Sequence, residues 1–444
     1  MIEITIAAAD FAALETTLLG KEVEHCAVLF ASQVDRADGL RRLLVSDVDV
    51  PSPADYTGQQ FDAAELSPQY VAKVSKMARR ASLSLIFAHS HPGGAAPMFS
   101  QADNAGEQLL SKFLAFRNPN NSHVALVLSQ GGCRARRLGT DEEIRVTSIG
   151  EFRRIQFDPG GDSSYTAEIF DRQIRAFGPS GQRAVSGLRI GVVGLGGTGS
   201  IVVQQLAHLG TTKFVLIDPD IIDATNLNRV VGAGISDIGS DKTDIAARYI
   251  RSLTAGAELT CVKGDVTRVS AAQHLLNADF IFGCTDSHGS RAVLQQIAYQ
   301  YLIPCVDVGS TITTEAGQIT GIFGRVQMMS PDQACFNCSG LLDAAEVRRD
   351  MMSEFERRQD PYIVGAREPA PAVISLNGTV VSLAVTMFLS IVTGLPSRGR
   401  YLLYDARQST LRAVRSNRQE NCYICSKAGA LAKGNSIDLY ARQE

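Results

Sequence analysis

Residues 89 to 103 read His-Ser-His-Pro-Gly-Gly-Ala-Ala-Pro-Met-Phe-Ser-Gln-Ala-Asp. Side chains two apart on a strand point to one face, so His89 and His91 can converge on a single ion. Ser100 and Asp103 stand three apart at the start of a helical pattern and share a face as well. His89, His91 and Asp103 thus offer two imidazoles and a carboxylate. That donor set suits a catalytic zinc, which keeps its fourth position for water. Zinc lowers the pKa of that water to about 7. A general base must then take and return the proton. Glu24, just ahead of the apolar run Cys26-Ala-Val-Leu-Phe-Ala31, is the candidate, with Glu22 as runner-up.

A second group of residues points to nucleotide chemistry. Gly194-Leu-Gly-Gly-Thr-Gly199 follows the apolar run Leu188 to Val193. Gly194, Gly196, Gly197 and Gly199 would let backbone N–H groups and a helix N-terminus come close to phosphates. Asp218 lies 24 residues after Gly194, at the end of the next apolar run. A carboxylate there can bind ribose hydroxyls. To this point NAD and ATP are equally good readings. The residues beyond Asp218 separate them: Asn226 and Arg229, then Lys242, then Asp286 at the end of a further strand. Hydride transfer has no need of this set. Chemistry at an α-phosphate needs cations to offset developing charge and a carboxylate to hold Mg²⁺. ATP and Mg²⁺ are therefore expected.

Four of the nine cysteines fall in two C-x-x-C pairs, Cys335/Cys338 and Cys422/Cys425. Four thiolates make a closed tetrahedral zinc site, which is structural rather than catalytic. The expected metals are therefore two zinc ions, one catalytic and one structural.

These residues must be placed by two domains, since 444 residues exceed the usual size of one. In the first part, Cys26 to Ala31, Leu40 to Val50 and Leu83 to His89 read as strands. Ser67 to Ala81 and Ala102 to Phe116 read as helices, and His123 to Arg136 as a hairpin. The Gly-, Pro- and Ser-rich stretch Phe157 to Ser164 marks a linker. In the second part, strand Leu188 to Gly194, helix Ser200 to Leu209 and strand Phe214 to Asp218 form a βαβ unit. A doubly wound parallel sheet is expected around it. The fold class is α/β throughout, with domains at residues 1–145 and 165–444 and a linker at 146–164.

Composition narrows the function classes. A formal charge of −3 argues against a broad nucleic-acid surface. The N-terminus carries Glu3, Asp10 and Glu15 and no basic start, so it does not read as a signal peptide. The apolar run Val380 to Val392 is too short to span a bilayer and reads as a buried helix. An odd number of cysteines with metal-type spacing fits a reducing cytoplasm better than disulfides. Neither nucleic acid nor membrane is expected as a partner.

The pattern His89-x-His91-Pro-x7-Ser100-x-x-Asp103 with an upstream Glu resembles the JAMM (MPN-plus) metalloproteases over residues 1 to about 140. That resemblance implies zinc on His89, His91 and Asp103, oxyanion stabilisation by Ser100 and acid/base work by Glu24. Cleavage would follow the C-terminus of a ubiquitin-like protein.

The second half resembles the ThiF/MoeB/HesA family, relatives of the ubiquitin-activating enzymes, over about residues 165 to 430. Asp171-Arg172-Gln-Ile, the glycine loop, Asn226, Arg229, Lys242, Asp286, Arg291, Glu368-Pro-Ala-Pro and the paired C-x-x-C motifs carry this resemblance. It implies adenylation of the C-terminal glycine of a ubiquitin-like or sulfur-carrier protein ending in Gly-Gly. Asp218 would bind ribose, Asn226, Arg229 and Lys242 the phosphates, and Asp286 Mg²⁺. Arg172 would reach the γ-phosphate held by the other subunit of a homodimer. A conjugating enzyme is a further partner it allows.

Many relatives carry a nucleophilic cysteine in the segment before the final helix. Leu341 to Val373 contains none. Either the product is the free acyl-adenylate or a distant thiol, Cys284 or Cys305, is used. The expected function is bifunctional, activating and cleaving. The alternatives are an adenylyltransferase whose first domain only binds the carrier, and one that adenylates a short peptide.

Overall fold

The computed structural model describes residues 1–93, 96–160, 168–353, 356 and 371–443. The chain divides into two compact units. One comprises Met1–Ser163 with Gln300–Leu302 and Ala430–Asp438; the other holds the remainder.

The first unit contains strands β1 (Ile2–Ala7), β2 (Cys26–Asp35), β3 (Arg41–Asp49), β4 (Tyr56–Gln59), β5 (Ala64–Leu66), β6 (Ser84–Ser90), β7 (Val124–Ser129), β8 (Gly132–Arg137), β9 (Arg145–Ile149) and β10 (Arg153–Phe157). Its helices are α1 (Ala8–Leu18), α2 (Pro68–Arg80) and α3 (Gln101–Arg117). Eight strands form a mixed sheet in the order β10-β9-β1-β3-β2-β6-β7-β8, and β4-β5 is a separate hairpin. Alternation along β2 sorts the two faces. Ala27, Leu29 and Ala31 join Phe11, Leu14 and Leu18 of α1 in one core. Val28 and Phe30 join Tyr70 and Val74 of α2 and Leu114 of α3 in the other. Pro68 and the Ser67 hydroxyl, which accepts the Tyr70 N–H, start α2.

The linker expected at 146–164 is corrected over most of its length. Residues 146–149 belong to β9, parallel to β1, and Arg153–Phe157 turns back on it as β10. The sequence Arg-Arg-Ile-Gln-Phe of β10 is polar because it forms a sheet edge.

The second unit contains β11 (Arg189–Val193), β12 (Lys213–Ile217), β13 (Glu258–Val262), β14 (Phe280–Gly283), β15 (Cys305–Glu315), β16 (Gln318–Met329), β17 (Tyr401–Asp405) and β18 (Thr410–Ala413). Its helices include α4 (Asp171–Gly187), α5 (Gly197–His208), α6 (Lys242–Leu253), α7 (Val269–Ala272), α8 (His288–Gln300) and α9 (Ala344–Met351), and a last one spans Ile374–Thr393. The strand order is β13-β12-β11-β14-β15-β16-β17-β18. The expectation of a parallel sheet holds from β13 to β15 and is corrected beyond, where every pairing is antiparallel. The tight turn at Ala316 and Gly317, both with positive φ, folds β16 directly back on β15. No crossover helix intervenes, so the two must run antiparallel.

The apolar run Val380 to Val392 lies within the last helix, which is longer than the run suggested. Its 20 residues are long and apolar enough to cross a membrane by length and composition. In this fold Val380, Val381, Ala384, Phe388 and Ile391 enter the main core. The Phe388 ring centroid is 4.9 Å from that of Phe280 and 5.6 Å from that of Phe282. Helix α4 breaks at Phe177 and Gly178, and Pro179 starts its second part.

Candidate functional sites

In the first unit, strand pairing assembles the histidine cluster. Cys26 pairs with His89 across β2 and β6. His25 and Ser90 bond through both their backbone groups and the Ser90 hydroxyl. Glu24, one residue upstream, is pinned by its backbone to Gln60 and to the Gln59 amide of the small hairpin. Its side chain turns inward and is 5% exposed. Glu22 is exposed.

Four side chains meet here. His89 Nε2 and His91 Nε2 are 3.2 Å apart. Asp103 Oδ1 is 3.2 Å from His89 Nε2, and Asp103 Oδ2 is 3.4 Å from His91 Nε2. Glu24 Oε1 is 3.3 Å from His91 Nε2. Ligands about 2.0–2.1 Å from a tetrahedral ion lie about 3.3–3.4 Å apart. The two imidazole nitrogens have about that spacing from each other and each from one oxygen of the Asp103 carboxylate, and one ligand atom from each residue lies within 4.8 Å of the others, so the residues fit a zinc-sized ion.

Ser100 and Asp103 form a reciprocal cap at the start of α3. The Asp103 N–H donates to Ser100 Oγ at 3.1 Å, and the Ser100 N–H donates to Asp103 Oδ2 at 2.6 Å. The cap fixes the orientation of the Asp103 carboxylate. Burial pushes Asp103 up, but hydrogen bonds from both histidines outweigh it and hold the group well below the usual carboxylate range. Burial raises Glu24. The hydrogen bond to Asp103 raises His91.

One supporting residue escaped sequence reasoning. Arg136 on β8 lies 3.9 Å over the Phe99 ring and makes two short bonds to Glu107, at 2.7 and 3.1 Å. It also donates to Asn104 Oδ1 at 2.6 Å. This clamp locks α3, and with it Asp103, onto the sheet.

In the second unit the glycine loop lies between β11 and α5. Gly194 has φ of +85°, which favours glycine. A Cβ on Gly199 would fall 1.7 Å from the Gly194 carbonyl oxygen, and one on Gly197 would fall 2.4 Å from Asn377 Nδ2. No atom lies within 4 Å of a Cβ on Gly196. The loop is therefore closed on the protein side and open at Gly196.

Asp218 stands behind this loop, 4% exposed. Its Oδ2 accepts the Leu195 N–H at 2.5 Å and its Oδ1 the Asp220 N–H at 2.8 Å. Burial raises this carboxyl, against the lowering effect of Lys242. Lys242 Nζ bonds Asp220 Oδ2 at 2.7 Å and stands 3.9 Å from Asp218 Oδ1. Asn226 is buried in a short turn capped by Asp223. The Arg229 side chain lies over Gly197, its Cδ 3.2 Å from that residue's Cβ position.

Asp286 is exposed just past β14. Asp350 of α9 accepts the Ser287 hydroxyl and the Gly289 N–H at 3.0 and 3.1 Å, beside it. Arg172 is exposed on the first turn of α4. The structure thus gathers Asp218, Arg229 and Lys242 at the glycine loop, with Asn226 in the turn whose backbone carbonyl accepts the Arg229 N–H. Glu368-Pro-Ala lies outside the described residues.

Two further features were missed. Asn377 of the last helix touches Gly197 and accepts the Ser310 hydroxyl at 2.8 Å. Asp307, fully buried, bonds Arg291 at 3.0 Å and Arg325 at 2.6 Å. No motif announces either group; only the antiparallel return of β16 brings Arg325 opposite β15.

The four thiols of the C-x-x-C pairs converge. Cys335 and Cys422 sulfurs are 3.5 Å apart, those of Cys338 and Cys425 are 3.6 Å apart, and all four lie within 4.8 Å of one another. Desolvation raises both the Cys284 and the Cys305 thiol.

A glycine turn from strand to helix, backed by a buried acid on the next strand, defines a doubly wound nucleotide-binding domain. The chain belongs to the ThiF family, whose model matches residues 170–424. It is 26% identical over 254 residues to the SAMP-activating enzyme E1 of Haloferax volcanii, covering 57% of this chain and 85% of that one. It is 26% identical over 260 residues to the molybdopterin-synthase adenylyltransferase of Escherichia coli, covering 58% and 96%. Among solved structures, E. coli MccB with ATP is similar at a TM-score of 0.46 and 14% identity, covering 60% of this chain and 76% of that one.

Proposed function

We propose that this chain uses ATP to adenylate the C-terminal carboxylate of a ubiquitin-like or sulfur-carrier protein ending in Gly-Gly. The observation that carries this reading is Arg229 laid over Gly197, with Lys242 behind the same loop, in a ThiF-family domain. Curated relatives bear the names of adenylyltransferases and of an activating enzyme. A carboxylate oxygen attacks the α-phosphorus; the new O–P bond forms as the bond to the bridging oxygen breaks, and pyrophosphate leaves. Arg229, Lys242 and Asn226 face the phosphates and offset the charge that develops there. Asp218 orders the loop and faces the ribose. Asp286, exposed past β14, would hold Mg²⁺, which would offset charge on the phosphates. Arg172 serves the γ-phosphate of the partner site in a homodimer.

The product is the free acyl-adenylate. The segment Leu341 to Val373 before the final helix has no cysteine, and desolvation raises the Cys284 and Cys305 thiols. Cys335, Cys338, Cys422 and Cys425 hold a structural zinc, and the cytoplasm is the compartment that keeps such thiolates reduced. Mass spectrometry of a candidate carrier incubated with ATP should show an AMP adduct on its terminal glycine. An unmodified carrier under conditions that saturate ATP would overturn the reading.

The first unit serves this activity as a carrier-binding module. A second reading adds hydrolysis after the same terminus, and the tetrahedral spacing of His89, His91 and Asp103 favours it. Zinc bound there supplies a Lewis acid. Glu24, buried 3.3 Å from His91 Nε2, takes and returns a proton. Ser100 orients Asp103 and stands by for the oxyanion. Cleavage of a carrier fusion that is equal in wild type, Glu24→Gln and His89→Ala would leave only the binding role.

A further inference from the structure

The Arg291–Asp307–Arg325 group is built for more than structure. Two guanidinium groups share one carboxylate, so the cluster keeps a net positive charge. Arg291 Nε bonds Asp307 Oδ1 at 3.0 Å, and its Nη2 bonds the Thr285 carbonyl at 2.9 Å. Arg325 Nη2 bonds Asp307 Oδ2 at 2.6 Å. Each guanidinium has five N–H donors and uses only one or two of them here. The Arg325 guanidinium also lies 5.3 Å from the Phe336 ring centroid, which fixes its plane. Asp307 is sealed, but the arginines are 13% and 17% exposed.

Both heads stand over Gly309, whose missing side chain leaves a small gap. Gly309 pairs directly with Arg325 across β15 and β16. A Cβ on Gly309 would lie 3.6 Å from Arg291 Nη2 and 4.0 Å from Arg325 Nη2. The gap also adjoins the reaction centre of the proposed adenylation. Thr285, which Arg291 binds, precedes Asp286. Cys284, the residue before it, touches the first glycine of the loop: a Cβ on Gly194 would lie 2.6 Å from the Cys284 oxygen. An anionic substrate arriving beside the Asp286 carboxylate needs a cation to offset the repulsion. Arginine forks match a carboxylate in shape and charge.

We infer that Arg291 and Arg325, held apart by Asp307 over the notch at Gly309, bind the free C-terminal carboxylate of the incoming peptide tail before it is adenylated. This inference rests on the adenylation reading. It makes the pair a recognition site for an ionised chain end, distinct from the cations at the phosphates.

The test uses the full chain and a short fluorescent peptide ending in Gly-Gly, as free acid and as C-terminal amide, with an α,β-methylene ATP analogue present. Wild type should bind the acid about tenfold more tightly than the amide. Arg325→Gln should abolish that preference and leave binding of the ATP analogue unchanged. Arg325→Lys should restore part of it. Gly309→Ala needs no strained backbone and only covers the notch, so it should also lose the preference while melting like wild type. Acid and amide bound equally by wild type, or a preference that survives in both Arg325→Gln and Gly309→Ala, would overturn the inference. Weaker nucleotide binding with the preference intact would assign the pair to ATP instead and overturn it too. Failure of the adenylation reading itself shows separately, as a wild type that never forms the AMP adduct.

Discussion

The buried carboxylate of Asp218 accepts the Leu195 N–H at 2.5 Å, so the end of β12 holds the glycine turn that follows β11. The same carboxylate accepts the Asp220 N–H. Asp218→Ala strips both N–H groups of their acceptor and should lower stability by about 1–3 kcal/mol. It should also raise the KM for ATP, because the loop loses its anchor. Urea denaturation and ATP-dependent kinetics read the two effects. An unchanged KM would separate Asp218 from nucleotide binding.

Two glycines of the loop should respond in opposite ways to one methyl group. At Gly199 it would collide with the Gly194 carbonyl, and at Gly196 it would meet nothing within 4 Å. Gly199→Ala should lower the melting temperature and abolish activity. Gly196→Ala should melt like wild type yet raise the KM for ATP about tenfold, since its methyl stands on the open side of the loop. Equal behaviour of the two variants would mean that the phosphates do not approach at Gly196.

Metal content distinguishes the two clusters. If the first unit also hydrolyses, the intact protein should carry about two zinc ions per chain, one per donor set; if it only binds the carrier, about one, on the cysteines. A His89→Ala, Asp103→Ala double variant should retain the ion on the cysteines and lose the other. A Cys338→Ser, Cys425→Ser variant should lose the cysteine-bound ion and much of the stability of its unit, because that ion ties residues 335–338 to 422–425. Elemental analysis and thermal melting give both readings. Two ions remaining in the histidine variant would exclude that cluster as a metal site.

His123 gives the first unit a pH dependence. It is 8% exposed, and its Nδ1 accepts the Leu85 N–H at 3.0 Å. Burial lowers its pKa from 6.5. Above about pH 6.5 both folded and unfolded states are neutral there and nothing is lost. Below that value the unfolded chain takes the proton first, so stability falls by up to about 1.4 kcal/mol per pH unit until the folded pKa is reached. His123→Gln should flatten this slope below about pH 6.5 in urea titrations. An unchanged slope would place the dependence elsewhere.

The sequence made the central parts of both units legible because their signals are local. The βαβ unit around Gly194 and the strand into His89 each combine an apolar run with special residues at fixed offsets. Glu24 was within reach because it precedes β2 by two residues. Strands β1 and β9 escaped notice: Glu3 and Thr147, buried partners bonded at 2.7 Å, make each look half polar, and they lie 144 residues apart. The Arg291–Asp307–Arg325 group and Asn377 were equally hidden. Their partners are set by strand return and helix packing, which no spacing in the chain records.

ATP–pyrophosphate exchange tests the central claim most directly. Labelled pyrophosphate should enter ATP only when a ubiquitin-like or sulfur-carrier protein with a free Gly-Gly terminus is present. Arg229→Ala should slow that exchange at least about a hundredfold. Exchange that ignores the carrier, or an Arg229→Ala variant as fast as wild type, would contradict adenylation of such a terminus at this loop.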